Sequence, residues 1–448
     1  MKKKLLKLTW PIFVENLLFI LLGSMDTLML SHYSDTAVAG VGVANELISM
    51  VVLLFGVITI GTAILCAQYA GAGEQRKVHQ VVGVSLLFNG LIGSLFSILL
   101  VFGGPHLLEL MEVRPEVMSH AKSYLQIIGS VLFVQALGNT VAASMRSLGY
   151  TKASMFISVA MNIFNIAGNY FLIFGKAGLP ALGASGAALS TSISRVLSVL
   201  VMCIFLFKKV LKDFKWRNLM PFPYAILQKV LKVGIPSALE QLSWQGSQLI
   251  LIYFINAISD TALTTRAYIM TIACFSSAFA YAIAQGTAIN IGHLVGDDKK
   301  EGAYKLCLSS LKIGVLFSIG FSALFYLNGR SILGFFTENK EVITLGMSIL
   351  LVDVFLEPGR AFNLVVIDAL RAAGDVKFPV QVGICSMWLV GVGVAWILGI
   401  GCELGLVGIW IALAMDEWLR GLLMLVRWRG KKWINMDFVH KGMGEIGA

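Results

Sequence analysis

The chain has 448 residues, of which 57% are hydrophobic and only 13% are charged, and its net charge is +10. Soluble domains average about 25% charged residues, so this composition excludes an ordinary soluble protein and indicates a membrane protein. Apolar segments long enough to cross a bilayer recur along the chain, and each should be a helix because hydrocarbon offers the backbone no hydrogen-bond partners.

Twelve such segments are found, which predicts an all-α integral membrane protein with twelve transmembrane helices. In chain order they cover residues 7–30, 38–66, 80–103, 117–141, 153–175, 184–207, 229–255, 262–290, 304–327, 342–366, 378–400 and 404–426. The first segment is too long for the apolar core of a signal peptide, so we expect it to remain as a span.

Lysine and arginine are distributed unequally between the two sides of these spans. With the N-terminal MKKK in the cytoplasm, the inward connections are rich in both, whereas the outward connections hold four: Arg114, Lys176, Arg330 and Lys340. This asymmetry predicts a multi-pass protein of the cell membrane with both termini in the cytoplasm. The net positive charge then follows from topology and contact with anionic lipid, and it does not indicate a nucleic-acid partner.

The first span contains a proline and two acids. Pro11 removes a backbone hydrogen bond and favours a bend. Glu15 and Asp26 are separated by close to three full turns, so they share one stripe that should face the bundle interior. Burying an ionised carboxylate is costly, and Asp26 has no evident basic partner in its half of the chain, so Asp26 is the strongest candidate for a functional acid.

Neutral oxygen ligands are expected around Asp26. Asn165 and Asn169 share one face of the fifth span, Thr191 lies on the sixth, and Glu46 falls at a similar depth on the second. An acid among such oxygens could carry a proton or bind a hard monovalent cation. The same polar residue types also join transmembrane helices, so a packing role is the alternative.

The second half of the sequence repeats the first. A shift of 225 residues aligns Pro11 with Pro236, Glu15 with Glu240, and Arg146 with Arg371. The chain is therefore predicted to be a duplicated six-helix unit with a pseudo-twofold axis along the membrane normal. The predicted domains are an N-lobe (1–207), a cytoplasmic connector acting as hinge (208–228), a C-lobe (229–427) and a cytoplasmic tail (428–448).

The C-lobe lacks the acid of the first span, because Leu251 stands where Asp26 would repeat. Its tenth span instead carries Asp353, Glu357 and Arg360 on one helical face, and Glu357 and Arg360 can form a buried ion pair. A structural role explains this pair as well as a functional one does.

A ring of acids is also expected near the cleft between the lobes. Glu15, Glu240 and Glu357 are predicted to lie at similar depth in the cytoplasmic half of the membrane. Their negative charge there would attract a cationic substrate. No HExxH, P-loop, GxSxG or dinucleotide motif is present, and the six cysteines show no ligand spacing. Neither catalysis nor a cofactor is therefore predicted, and a membrane enzyme or receptor is a distant alternative.

Several segments resemble the multidrug and toxin extrusion (MATE) family. The stretch WPIFVENLLFILLGSMDTLMLSHYSDTAVAGVGVANEL resembles its first two helices, RSLGYTK and RAAGDVKFP resemble the turns after helices 4 and 10, and NIAGNYFLIFG and LGASGAALSTSIS resemble helices 5 and 6. The resemblance covers essentially the whole chain. It implies a 6+6 helix fold and export of organic cations, often drugs, by alternating access in exchange for H⁺ or Na⁺.

The resemblance also implies which residues form the cation site. The family's N-lobe cation site corresponds here to Asp26, Asn165, Asn169 and Thr191. Many members carry Asp where this chain has Asn169, which weakens a Na⁺ site by one charge and leaves the coupling ion open.

The C-lobe acids used by some members do not carry over, because Trp244 and Arg360 occupy their places. Glu240 and Glu357 lie about a turn away and could serve instead. A flippase for lipid-linked precursors is the alternative within the superfamily. The expected partners are small organic cations and the lipid bilayer, and the expected state is a monomer.

Overall fold

The computed structural model describes residues 2–439, so the end of the predicted tail, 440–448, lies outside the described residues. Fourteen α-helices and no β-strand occur in the described part. They are α1 (Lys2–Ser31), α2 (Asp35–Gly71), α3 (Gln75–Leu110), α4 (Pro115–Ser130), α5 (Leu132–Ser147), α6 (Thr151–Phe174), α7 (Gly183–Phe205), α8 (Tyr224–Ile258), α9 (Asp260–Gly296), α10 (Lys300–Leu327), α11 (Gly329–Phe336), α12 (Lys340–Ala372), α13 (Lys377–Ser386) and α14 (Gly405–Arg429).

Each of the twelve predicted spans falls on this helical framework, and the all-α membrane fold is confirmed. Between residues 2 and 439, nine helices are long and apolar enough to cross a membrane, or ten if α4 and α5, bent by 51° at their junction, form one broken span. α13 continues through two π-helical segments to Gly401 as one of the nine. α8 and α14 are helical where predicted, but polar and charged residues interrupt their apolar sequences.

Local sequence signals set several helix ends. Ser259 precedes α9, and its Oγ accepts a hydrogen bond from the Ala262 N–H at 3.1 Å. Asn339 precedes α12, and its Oδ1 accepts from the Glu341 N–H at 2.9 Å. These side chains satisfy backbone donors that the first helical turn leaves open. α6 ends at Gly175, whose φ of 66° lies in the left-handed region that glycine adopts without strain.

Two compact units divide the described residues. One contains residues within Met1–Phe13, Gly71–Gly73 and Pro236–Ala448, and the other contains Val14–Ala70 and Glu74–Ile235. We call them the C-unit and the N-unit. This division departs from the predicted lobes at two repeat-equivalent places, because the first part of α1 belongs to the C-unit and the first part of α8 belongs to the N-unit.

The first part of α1, up to Phe13, and the first part of α8, up to Ile235, are the exchanged segments. Glycine residues allow each of them to pack closely in its unit. In the N-unit, a Cβ on Gly61 of α2 would collide with the Val230 backbone of α8, and one on Gly234 of α8 would collide with the Val57 carbonyl oxygen. In the C-unit, a Cβ on Gly286 of α9 would lie 2.6 Å from Thr9 Oγ1 of α1. Glycine at these positions therefore lets the exchanged segments pack closely, as small residues do in membrane helix pairs.

The connector is packed against the N-unit. Its short 3₁₀ helix, Trp216–Leu219, contacts α3. The buried Leu219 side chain packs with Val84 and Leu227 and fills the space above Gly83. The predicted hinge segment is therefore anchored within one unit, and the chain passes into the other unit at Ile235–Pro236, inside α8.

Candidate functional site

The polar residues predicted around Asp26 come together in the N-unit. Asn169 Nδ2 donates to Asp26 Oδ1 at 2.6 Å and lies 3.4 Å from Asn165 Oδ1. Asn165 Nδ2 in turn donates to Ser190 Oγ and Thr191 Oγ1, each at 3.3 Å. Asn169 is fully buried and Asn165 nearly so. These residues, from α1, α6 and α7, form what we call the Asp26 cluster.

A basic residue missed by the sequence analysis lies near this cluster. Arg195 lies one turn beyond Thr191 on α7, inside an apolar span. Its Nη1 atom is buried and has no hydrogen-bond partner among the described residues. Among the described residues no ion pair joins Asp26 to a basic side chain, so the expectation that Asp26 has no direct basic partner stays a prediction. The signal available in the sequence was an arginine inside an apolar span.

Glu46 does not join the cluster. It lies on the exposed side of α2, opposite the buried stripe that includes Ala44 and Ile48. Its carboxylate forms no ion pair or hydrogen bond with the described residues. The structure therefore gives no contact through which Glu46 would add charge next to Asp26.

Glu15 is paired within the N-unit. Arg146 Nη1 of α5 donates to Glu15 Oε1 at 3.2 Å, and Ser158 Oγ of α6 donates to the same oxygen at 3.1 Å. Ser154 Oγ lies 3.3 Å from it. The carboxylate is thus neutralised by a guanidinium and held by two hydroxyl groups.

Glu240 has the repeat-equivalent partner in the C-unit. It is buried and forms an ion pair with Arg371 of α12, which also lies 3.7 Å from Asp368. Because Glu15 aligns with Glu240 and Arg146 with Arg371, the duplication has kept this pair in both halves. Two of the three acids of the predicted ring, Glu15 and Glu240, are therefore paired with arginine.

The third acid, Glu357, is paired as the spacing on α12 predicts. Arg360 Nη1 lies 2.5 Å from Glu357 Oε1, and Glu357 is almost fully buried. The other carboxylate oxygen of Glu357 is buried without a hydrogen-bond partner among the described residues. Asp353, one turn earlier, accepts a hydrogen bond from Trp410 Nε1 at 3.0 Å.

α14 adds charges that the sequence analysis did not single out. Arg420 Nη2 lies 2.7 Å from Asp416 Oδ2 and 3.1 Å from Glu417 Oε1. Asn363 Nδ2 donates to the second Glu417 oxygen at 2.7 Å, and Ser386 Oγ donates to Asp416 Oδ1 at 2.5 Å. The motif DEWLR within an apolar run was the available signal. These residues extend the α12 pair into a buried charge network.

An apolar groove lies between α1 and α6, the helices that carry Asp26 and Asn169. Its volume is about 680 Å³, and α1 and α6 line it, with Met25, Met29, Tyr170 and Phe174 among the lining residues. Met25 and Tyr170 are sequence neighbours of the Asp26–Asn169 pair. The lining of the groove suits a lipophilic molecule, and Asp26 itself does not line it.

Residues 2–439 contain His, Cys, Asp and Glu side chains, the ligands that usually hold metal ions in proteins. No group of three or more His, Cys, Asp or Glu side chains there could hold a metal ion. The Asp26 cluster offers a single carboxylate together with amide and hydroxyl oxygens, which is a donor set for a monovalent cation or a proton.

The sequence model of the MatE family matches this chain twice, over residues 11–171 and 236–397. The chain belongs to the MatE family. The two matched segments begin at the repeat-equivalent prolines Pro11 and Pro236. As a member of this MATE transporter family, the protein is a multi-pass membrane transporter and not an enzyme.

Relatives match over nearly their whole length. The uncharacterized transporter YisQ of Bacillus subtilis is 41% identical over 430 residues, which are 96% of this chain and 94% of the relative. The probable multidrug resistance protein NorM of Thermotoga maritima is 25% identical, covering 96% and 93%.

The fold matches solved structures. A multidrug resistance MATE family transporter of the MOP superfamily in an outward-facing conformation superimposes with a TM-score of 0.89, at 21% identity, covering 96% of this chain and 95% of that one. A MATE structure in a bent conformation gives a TM-score of 0.88 at 21% identity and covers the same shares. At this identity, the similarity establishes the twelve-helix MATE fold.

Proposed function

We propose that this MATE protein is a secondary antiporter that exports lipophilic organic cations in exchange for H⁺ or Na⁺ by alternating access. The observation that carries the proposal is the Asp26 cluster, in which one carboxylate inside a span is surrounded by Asn169, Asn165 and Thr191. An acid in such a place is a functional site by default, because burying it for structure alone is costly.

The coupling role falls to Asp26. An exchange cycle needs a group that binds and releases the coupling ion, and Asp26 is the acid that Asn169 contacts. Asn169 binds the carboxylate directly, and Asn165 and Thr191 follow it in a chain of hydrogen bonds. With both termini in the cytoplasm, as the positive-inside rule favours, Asp26 lies in the outer half of α1.

Two features support a lipophilic cation as substrate. The groove between α1 and α6 is apolar and partly aromatic, which suits a hydrophobic body. In the C-unit, the charged network contains more acids than arginines: Glu240, Asp353, Glu357, Asp368, Asp416 and Glu417 against Arg360, Arg371 and Arg420. An excess of negative charge favours cations over anionic lipid-linked precursors. The NorM relatives, named as multidrug resistance proteins, agree with this class.

Transport of a cationic dye tests the proposal. Cells that express the protein should accumulate less ethidium than vector controls, and proteoliposomes should move the dye when a proton or a sodium gradient is imposed separately. Equal accumulation of a broad panel of cationic dyes, with the protein verified in the membrane, would overturn the substrate class.

A further inference from the structure

The connector carries an excess of positive charge on its surface. Its basic side chains between residues 208 and 217 are all exposed: Lys208, Lys209, Lys212, Lys215 and Arg217. None of the five forms an ion pair with the described residues. The same stretch contains one acid, Asp213, so five positive charges face one negative charge and the net charge is +4. The protein itself therefore leaves most of this charge unbalanced.

Aromatic rings hold the charged stretch in a fixed shape. Phe214 packs against Phe207 with ring centroids 5.0 Å apart and against Trp216 at 5.1 Å. The buried Leu219 side chain fixes the end of the stretch on α3. Trp216 is nevertheless 53% exposed. An indole that packs on one side and is exposed on the other suits the boundary between lipid and water, because its ring is apolar and its N–H is polar.

Both ends of the connector are ends of membrane helices. The span that contains α7 runs to Val210, and α8 begins at Tyr224. A chain that leaves the bilayer and returns to it so soon stays close to the bilayer surface. Exposed apolar and aromatic side chains follow Trp216, namely Met220, Phe222 and Tyr224. Clustered cations next to a membrane helix, together with aromatic side chains, are the pattern that binds anionic lipid.

The duplication shows that the fold does not require these cations. A shift of 225 residues aligns residues 208–214 with 433–439, which follow the last span of the C-lobe. The segment 433–439 contains no lysine or arginine, and Trp433, Asp437 and Val439 are buried. The equivalent place is thus filled by a largely buried segment in one half and by an exposed basic segment in the other. The cations of the connector are then explained by a partner outside the protein.

We propose that the connector is a docking surface for anionic phospholipid of the adjoining leaflet, with Trp216 as its anchor at the interface. The exposed cations complement the negative headgroups, and Phe207 and Phe214 hold the indole in place. A zwitterionic lipid carries no net charge, so the connector should select anionic lipid from a mixture. The proposal depends neither on the exported substrate nor on the coupling ion.

Fluorescence quenching by brominated lipid tests this proposal. The full-length protein is reconstituted into vesicles of phosphatidylcholine and phosphatidylglycerol in equal amounts, with bromine on the acyl chains of one lipid or of the other. Both leaflets have the same composition, so the orientation of the protein does not matter. Because the chain has nine tryptophans, the Trp216 signal is the difference between protein with Trp216 and the same protein with Trp216→Phe.

Two double variants accompany wild type. Lys212→Gln/Lys215→Gln removes two exposed cations that have no ion pair among the described residues. Lys299→Gln/Lys305→Gln is the matched control, because it removes two exposed lysines that are already paired with Asp297 and Glu301. Gel filtration before reconstitution verifies that each variant is folded.

Brominated phosphatidylglycerol should quench Trp216 about twofold or more strongly than brominated phosphatidylcholine does. Lys212→Gln/Lys215→Gln should lose most of this preference, and the control should keep it. Equal quenching of wild type by the two lipids would overturn selection of anionic lipid. Quenching by neither would show that the connector contacts water or a soluble partner and not the bilayer. If the double variant cannot be reconstituted, the comparison of the two lipids with wild type decides alone.

Discussion

Five intramembrane acids in this protein have partners on other helices or one turn away. Asp26 accepts from Asn169, Glu15 pairs with Arg146, Glu240 with Arg371, Glu357 with Arg360, and Asp353 accepts from Trp410. Removing a carboxylate from water is costly, and hydrogen bonds or an opposite charge offset part of that cost. A partner alone does not tell a coupling acid from a structural one. Substitution separates the two, because it changes transport in the first case and stability in the second.

Asp26→Asn should abolish gradient-driven dye export while leaving expression and melting temperature close to wild type. Asparagine keeps the size and the hydrogen-bonding capacity of aspartate but cannot change charge. Dye efflux from cells and transport into proteoliposomes are the measurements. Asp35→Asn, the same change at the exposed start of α2, is the control and should transport normally. Wild-type rates with unchanged ion dependence in Asp26→Asn would exclude a coupling role for this acid.

Arg360→Ala should destabilise the protein more than Glu357→Gln. Arg360→Ala leaves the almost fully buried Glu357 carboxylate without its counter-charge, which costs about 3–5 kcal/mol. Glu357→Gln leaves Arg360 with Glu417, whose Oε1 lies 3.9 Å from Arg360 Nε. Thermal melting of the purified variants in one detergent measures the difference. Equal melting temperatures would show that the pair contributes little to the fold.

At the scale of the helices, α1 and α8 each serve both compact units. The division falls at Phe13–Val14 in α1 and at Ile235–Pro236 in α8, close to the repeat-equivalent prolines Pro11 and Pro236. Proline inside a helix removes a backbone hydrogen bond and favours a bend. The predicted span 117–141 is not one continuous helix, because it is broken at Val131 into α4 and α5.

Gly234→Ala should lower the melting temperature, although alanine is the better helix former. The added Cβ would meet the Val57 carbonyl oxygen of α2, and overpacking of this kind costs about 1–3 kcal/mol. Gly56→Ala on α2 is the matched control. No atom lies within 4 Å of its added Cβ, so the change should leave the stability equal or higher. An unchanged melting temperature for Gly234→Ala would contradict the close packing of α8 on α2.

At the scale of the whole molecule, each half of the chain supplies a segment to the compact unit of the other half. Residues within 1–13 belong to the C-unit, and residues 224–235 of α8 belong to the N-unit. Leu5 lies in the same buried cluster as Ile283 and Val366, which shows that the exchanged segment contributes to the core of the C-unit.

Fragments 1–222 and 223–448, expressed together, should therefore copurify, and each alone should be unstable. The cut falls in an exposed part of the connector, next to Met220. Affinity purification through a tag on one fragment measures the association. Two fragments that are each monodisperse alone and do not copurify would show that the exchanged segments are dispensable for the fold.

The sequence by itself determined the membrane class, the twelve helical spans, the duplication and the polar set of Asp26, Asn165, Asn169 and Thr191. It also determined the Glu357–Arg360 pair. Hydropathy and helical period are local properties, and residues three or four apart on a helix are neighbours in any fold.

Only the tertiary structure decided which faces of different helices meet. It paired Arg146 with Glu15 and Arg371 with Glu240, and each pair joins residues 131 positions apart. It also directed Glu46 away from the cluster and anchored the connector on α3. Such contacts depend on how helices pack over long sequence separations, and neither composition nor periodicity encodes that information.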